Sequence, residues 1–212
     1  MHIPPGFLKP EIWAPMTGVS AAGVGYALKK TGEVIDDRRT PVMGVMAAFI
    51  FAAQMVNFPV AGGTSGHLIG AALAVAIFGL WPSMVIMAAV LLVQGLLFQD
   101  GGLDALGANI FNMGIFGCLM SSLVIGLGRK LGERAFYPSV ILAAWMSVLG
   151  AAVLCAFELA FSGTSPLEIV LPAMTVIHAV IGAFEGIITV FALRFIFAVN
   201  PAVKRLHAGV TP

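Results

Sequence analysis

Phe78-Gly79-Leu80-Trp81-Pro82 interrupts an apolar stretch that otherwise runs from Gly66 to Phe98. As one helix, residues 66–98 would reach about 50 Å at about 1.5 Å per residue, far more than a hydrocarbon core of about 30 Å requires. A glycine, an interface-type tryptophan and a proline in succession suit a tight turn between two shorter helices, 66–80 and 82–98. The break decides the topology, because each added span reverses the side on which every later loop falls.

Working outward from it, apolar runs bounded by Gly, Pro or charge clusters predict helices at 12–29, 41–58, 66–80, 82–98, 104–128, 137–160 and 170–199. With seven spans, Lys29, Lys30, Arg38 and Arg39, then Arg129, Lys130 and Arg134, then Lys204 and Arg205, all fall on one side, and only Lys9 falls on the other. A single 66–98 span would put the 128–134 loop opposite 29–39 and destroy that bias. The positive-inside rule then sets the N-terminus outside and the C-terminus in the cytoplasm. Composition agrees: 59% of the 212 residues are hydrophobic and 10% charged, with a mean hydropathy of +1.01, too few charges to cover a soluble core. The expectation is an all-α polytopic membrane protein with seven transmembrane helices, in which residues 1–212 form a single domain without a soluble module. Lys9 and Glu11 interrupt any early signal-like region, so the mature chain is expected to begin at or next to Met1.

Several chemistries are excluded. A net charge of +1 leaves no footprint for nucleic acid. The glycine-rich segments lack the terminal Lys and Ser/Thr of a phosphate-binding loop, and there is no HExxH motif and no serine nucleophile elbow, so neither ATP hydrolysis nor another enzymatic activity is expected. Cys118 and Cys155 lie in apolar runs without metal-ligand spacing and read as packed thiols.

The chain opens Met1-His2-Ile3-Pro4-Pro5-Gly6-Phe7-Leu8. In a free Met-His terminus the α-amine, the backbone nitrogen of His2 and its Nδ1 can hold one ion through linked chelate rings. His67, at the end of the loop Ala61-Gly62-Gly63-Thr64-Ser65-Gly66-His67, is assigned by the topology to the same outer face. It reads either as a loop-bonding interface histidine or as the fourth nitrogen of a planar site formed with Met1 and His2. Tetragonal nitrogen coordination points to Ni(II) or Cu(II) and needs neutral donors. The Pro4-Pro5 pair stiffens the backbone after the ligands, and Gly6 permits a turn. Gln94, Gln99, Asn109 and Asn112, near the outer ends of the fourth and fifth helices, either orient the ligand imidazoles or bond helices together. Asp100 and Asp104 read as outer-loop residues, Asp104 as a helix cap, and neither as a ligand. Glu158 lies near the outer end of the sixth helix. His178 and Glu185, seven residues apart on the last helix, read as paired packing or as a proton or metal path. His207 belongs to the basic tail and reads as solvated. Ala14, Gly18 and Ala22 form a small-residue strip that packs within the bundle or against a partner helix.

The opening MHIPPGFL, the glycine-rich loop ending Gly66-His67, the run Gln99-Asp100-Gly101-Gly102 and the segment Asn109–Asn112 together resemble the membrane substrate-binding component of nickel/cobalt energy-coupling-factor transporters. The resemblance spans nearly the whole chain. It implies a multi-pass protein of the prokaryotic cytoplasmic membrane that captures Ni²⁺, or Co²⁺, outside the cell through the Met1 amine, His2 and His67. It also implies a membrane coupling (T) component, two cytoplasmic ATP-binding subunits and, in some systems, a small accessory membrane subunit, with the strip Ala14, Gly18, Ala22 a candidate contact for the coupling component. Members of that family commonly carry an acidic residue where this chain has Pro5, so no acidic group at that position guides metal inward here. A proton-coupled transporter and a membrane scaffold are the readings from other classes.

Overall fold

A computed structural model describes residues 1–36, 39–60, 64–200 and 203. Arg38, the loop residues Ala61, Gly62 and Gly63, and Lys204, Arg205 and His207 of the tail lie outside the described residues. The helices are α1 (Pro10–Val34), α2 (Thr40–Gln54), α3 (Ala71–Phe78), α4 (Leu80–Leu97), α5 (Leu106–Lys130), α6 (Phe136–Phe161) and α7 (Leu167–Val199). The protein is an all-α polytopic membrane protein: among the described residues α4, α6, α7 and the 25-residue α5 are long and apolar enough to cross a bilayer. α2, with 15 residues, is apolar but short. α1 is long enough, at 25 residues, and less apolar than α7.

The interruption after Phe78 is present. α3 ends there, Gly79 adopts φ +78°, and α4 starts at Leu80 with Pro82 inside its first turn, where a missing N–H costs no helical bond. Ser83 Oγ donates to the Gly79 carbonyl at 2.6 Å and ties the junction. The expected helix 66–80 is corrected at its other end. Phe58–Val60 and Thr64–Gly66 pair as short antiparallel strands, Phe58 opposite Gly66 and Val60 opposite Thr64. Residues 67–70 are irregular, so α3 begins only at Ala71. The same pairing ends α2 at Gln54 rather than at residue 58.

α3 spans only about 12 Å, and all eight of its residues are buried. A helix apolar on every side belongs in the interior, and α3 packs against α4, α5, α6 and α7. α6 and α7 share the most extensive helix contact, whereas α1 lies across α4 and α5. Within α5, Ile110–Phe116 winds as a π-helix, a wider turn that occurs mostly as local bulges near functional positions.

α1 meets the start of α5 at Gly107, where Ser20 Oγ donates to the Gly107 carbonyl at 2.6 Å. A Cβ on Gly107 would stand 2.3 Å from Thr17 Cα, a backbone atom that cannot move aside cheaply. Gly107→Ala is therefore expected to destabilise the bundle by about 1–3 kcal/mol through overpacking, read as a lower thermal unfolding midpoint in detergent. An unchanged midpoint would refute this account of the α1 crossing.

Candidate metal centre

The first three residues are buried, Met1 at 1%, His2 at 3% and Ile3 at 0% relative exposure. An extended segment inside a bundle must find partners for its peptide groups, and this one finds them on two elements. Ile3 N–H donates to Asn109 Oδ1 at 3.0 Å, and the Ile3 carbonyl accepts from Gly102 N–H at 2.8 Å and from Asn109 Nδ2 at 3.5 Å. Pro4 and Pro5 bring no N–H that would need a partner. Gly6 N–H then donates to Asp104 Oδ2 at 2.8 Å, where the chain turns back towards the surface. At the other end the Met1 amine donates to the Ser65 carbonyl and to Ser65 Oγ, the latter at 3.0 Å, and Ser65 Oγ also accepts from His2 N–H at 3.2 Å.

The stretch carrying His67 is clamped from α2 and α7. Gln54 Nε2 donates to the Ile69 carbonyl at 2.7 Å. Both oxygens of Glu185 are occupied, one accepting from Ile69 N–H at 2.6 Å and the other from Gly70 N–H at 2.9 Å. Thr64 Oγ1 contacts Met174 Sδ at 2.8 Å. Met174, His178 and Glu185 are spaced 4 and 7 apart and share one face of α7, so this face backs residues 64–70.

The His2 and His67 rings stack with centroids 4.4 Å apart and planes inclined by 15°. His67 Nδ1 lies 2.8 Å from the Leu68 carbonyl, an acceptor only, so Nδ1 carries the proton and Nε2 keeps its lone pair. That Nε2 is buried and has no hydrogen-bond partner. His2 Nε2 lies 3.2 Å from Gln94 Oε1, while Nδ1 lies 3.2 Å from Asp100 Oδ1 without hydrogen-bond geometry. With the ring proton given to Gln94, a lone pair faces a carboxylate, an arrangement relieved by a cation between them.

Burial is the main influence on these groups. It lowers the Met1 amine from 8.0 to about 5, against the opposing pull of nearby Cys155 and Asp100. Burial lowers His2, partly offset by the neighbouring carboxylate. His67 falls well below its ordinary value through burial and through the positive charges that the amine and His2 would carry. For Asp100, burial pushes upward, but a proton on His2 shared with the carboxylate, and the positive charges that His2 and the amine carry when protonated, outweigh it and lower the carboxyl. Burial thus favours the neutral forms of the three nitrogen groups, the state that a cation requires of its donors.

Of the residues singled out from sequence, Met1, His2, His67 and Gln94 come together, and Asn109 holds the peptide of Ile3. Gln99 is exposed at the rim. Asn112 turns away from the imidazoles and donates to Glu158 Oε2 at 2.8 Å. Ala14, Gly18 and Ala22 are exposed on the outer surface of α1. Glu185 is a brace for the peptide after His67; His178, fully buried, gives its Nδ1 proton to the Met174 carbonyl at 2.8 Å. Both cysteines are free and buried. From the sequence alone Ser65 has no part in the site and Asp100 reads as a loop residue; the signal available for each was proximity to a candidate, Ser65 two residues from His67 and Asp100 next to Gln99. Among the described residues no three His, Cys, Asp or Glu side chains form a metal cluster, so a metal site here has to draw on the terminus and the backbone.

Comparison with known proteins gives consistent likenesses. The family described as "Cobalt uptake substrate-specific transmembrane region" matches residues 2–203. A protein of Haloquadratum walsbyi that carries the name of a metal transport protein is 37% identical over 203 residues, covering 95% of this chain and 92% of its own. The fused nickel transport protein NikMN of Rhodobacter capsulatus is 31% identical over 218 residues, covering 95% of this chain and 63% of its own. The crystal structure of a truncated transition metal transporter superimposes with a TM-score of 0.88 at 31% identity, covering 94% of this chain and 100% of that one.

Two outcomes test the geometry. Glu185→Ala leaves two interior N–H groups without partners and is expected to cost about 3 kcal/mol, seen as a lower unfolding midpoint and faster hydrogen exchange at Ile69 and Gly70; unchanged exchange there would refute the brace. For the amine, the inserted state holds fewer protons than the free terminus between pH 5 and 8, so insertion is fully favoured above pH 8 and weakens as pH falls towards 5. Exchange protection of residues 1–8 should decline across that window, and a flat profile would contradict a buried neutral amine.

Proposed function

The chain belongs to the CbiM/NikM-like family, the substrate-binding membrane components of cobalt and nickel energy-coupling-factor transport, and from that premise we propose that it captures Ni²⁺ with the Met1 amine, the His2 backbone nitrogen, His2 Nδ1 and His67 Nε2. The carrying observation is the burial of a free amine and two neutral imidazoles around Ser65, with His67 Nε2 left unpartnered. The amine donates hydrogens to Ser65 and keeps its lone pair for an ion. The amine, the amide nitrogen and Nδ1 of residues 1 and 2 close two chelate rings without help from the fold; the fold supplies the fourth nitrogen. Face-to-face rings cannot share one coordination plane, so binding turns one imidazole out of the stack. That loss is about 1 kcal/mol, small beside the 10 kcal/mol or more, roughly, that well-formed metal sites reach.

The proposed placement is a single domain, residues 1–212, in the inner membrane, with the N-terminus outside and the C-terminus inside, the seven crossings counting the short α3 together with the irregular stretch 67–70 that leads into it. Cargo then moves inward through partners: a membrane coupling component and two cytoplasmic ATP-binding subunits, with a small accessory membrane subunit in some assemblies. The exposed strip Ala14, Gly18, Ala22 is the proposed contact for the coupling component, since small residues admit close approach between helices in lipid. The chain itself performs no hydrolysis. Co²⁺ is the second reading, favoured by the description of the matching family; the planar all-nitrogen set favours Ni²⁺.

With its native terminus the protein should bind one Ni²⁺. His67→Ala, or an N-terminal extension that converts the amine to an amide, should each weaken binding by about 100-fold or more, beyond the 10- to 100-fold usual for outer partners of a ligand. Unchanged affinity in either variant would sink the ligand set, and a clear preference for Co²⁺ in matched competition would overturn the choice of ion.

A further inference from the structure

A cavity of about 420 Å³ opens between the first loop and the strand hairpin, with His2 and Asp100 in its lining and Pro5, Asn57, Pro59 and Gln99 exposed around it. Among the described lining residues Asp100 is the one carboxylate. Its two oxygens differ in function. Oδ2 accepts from Asn57 Nδ2 at 3.3 Å, which fixes the carboxylate, and Oδ1 lies 3.2 Å from His2 Nδ1. The backbone that presents it is unusual: Gln99 takes φ +55°, a left-handed conformation found at no other described non-glycine residue, and such outliers gather at functional sites. Asp100 N–H closes the turn on the Gln94 carbonyl at 3.1 Å, so the residue that orients His2 also anchors the carboxylate.

Six waters occupy about 180 Å³ at liquid density, so the cavity accommodates a divalent ion with its hydration shell intact. A doubly charged aquo ion entering a mostly uncharged pocket is drawn to the one carboxylate in its wall. We propose that this cavity is an outer binding site for the hydrated divalent cation, in which Asp100 receives the ion through its waters and passes it to His2 Nδ1 as those waters leave. Four of the six waters are replaced by nitrogen lone pairs and the other two leave as the coordination becomes planar; the His2 amide, whose N–H donates to Ser65 Oγ in the free protein, gives its proton to water leaving through the open cavity, and no electron changes hands. The bound charge adds up as well. A dication on one deprotonated amide and three neutral nitrogens carries a single net positive charge, and Asp100 neutralises it beside an interior that disfavours unpaired charge.

The inference rests on the ligand set proposed above and makes a kinetic claim that the ligand set does not. Full-length protein with its native terminus is mixed with Ni²⁺ by stopped flow, and the absorption of the nickel–nitrogen complex is followed. At low ionic strength Asp100→Asn should associate about tenfold or more slowly, the difference should shrink as salt is raised, and Asp100→Glu should recover most of the lost rate. Equal rates for Asp100→Asn and the native protein would overturn the inference. So would a slow Asp100→Asn whose rate ignores salt, or that Asp100→Glu does not rescue, since Asp100 would then be only a structural partner of His2. Native protein whose Ni²⁺ affinity is indifferent to His67→Ala would instead overturn the ligand set.

Discussion

A chain terminus is ordinarily the most hydrated part of a protein, yet here the first amine lies inside the bundle, and that burial constrains everything near it. An ammonium group taken out of water without a counter-charge is too costly to keep, so it gives up its proton. The neutral amine still needs partners, and Ser65 meets the need with its carbonyl and its hydroxyl. Ser65 belongs to the short strand that precedes His67, so the contact that satisfies the amine also brings His67 against His2. Charge state, hydrogen bonding and the proximity of the two imidazoles thus follow from one act of burial.

That act depends on supports far away in the chain. Asn109 offers its amide as a surrogate strand to Ile3, using the oxygen for the N–H and the nitrogen for the carbonyl. Glu185 does the equivalent for Ile69 and Gly70. Both stretches that carry proposed ligands are irregular backbone at the edge of an apolar bundle, where an unpaired peptide group is expensive. Each is made tolerable by a polar side chain projecting from a long helix. This explains two of the buried polar residues without a proton path, and it places α7 behind His67 rather than beside a separate pore.

The anchoring is uneven in a way that matters for function. Ile3 and Ile69 are tied to different helices, whereas the imidazoles touch one another, Gln94, Asp100 and the Leu68 carbonyl. The frame is held and the donors retain freedom to turn. Under the proposed ligand set, an ion turns one ring out of the stack without unfolding the segments that carry them. α1, the least embedded of the long helices, has Ala14, Gly18 and Ala22 facing outward.

Much of this was legible in the residues themselves. The break at Phe78-Gly79-Leu80-Trp81-Pro82 is local chemistry, since glycine and proline act within a turn of where they stand, and α3 and α4 part there. The reach of the Met1 amine and His2 Nδ1 for one ion is local too, because covalent bonds join those atoms. The start of α3 was not legible: residues 66–70 are apolar enough for helix, but Glu185, 116 residues from Ile69, takes the amides that would begin it. Nor was the turn of Asn112 towards Glu158, or the placing of Asp100 beside His2, which read as an ordinary loop carboxylate. Sequence determined what lay within one turn or one chelate ring of each residue. Tertiary structure decided which distant polar group each buried donor met, because in a desolvated interior that choice depends on whichever partner the packing of the helices brings within 3 Å or so.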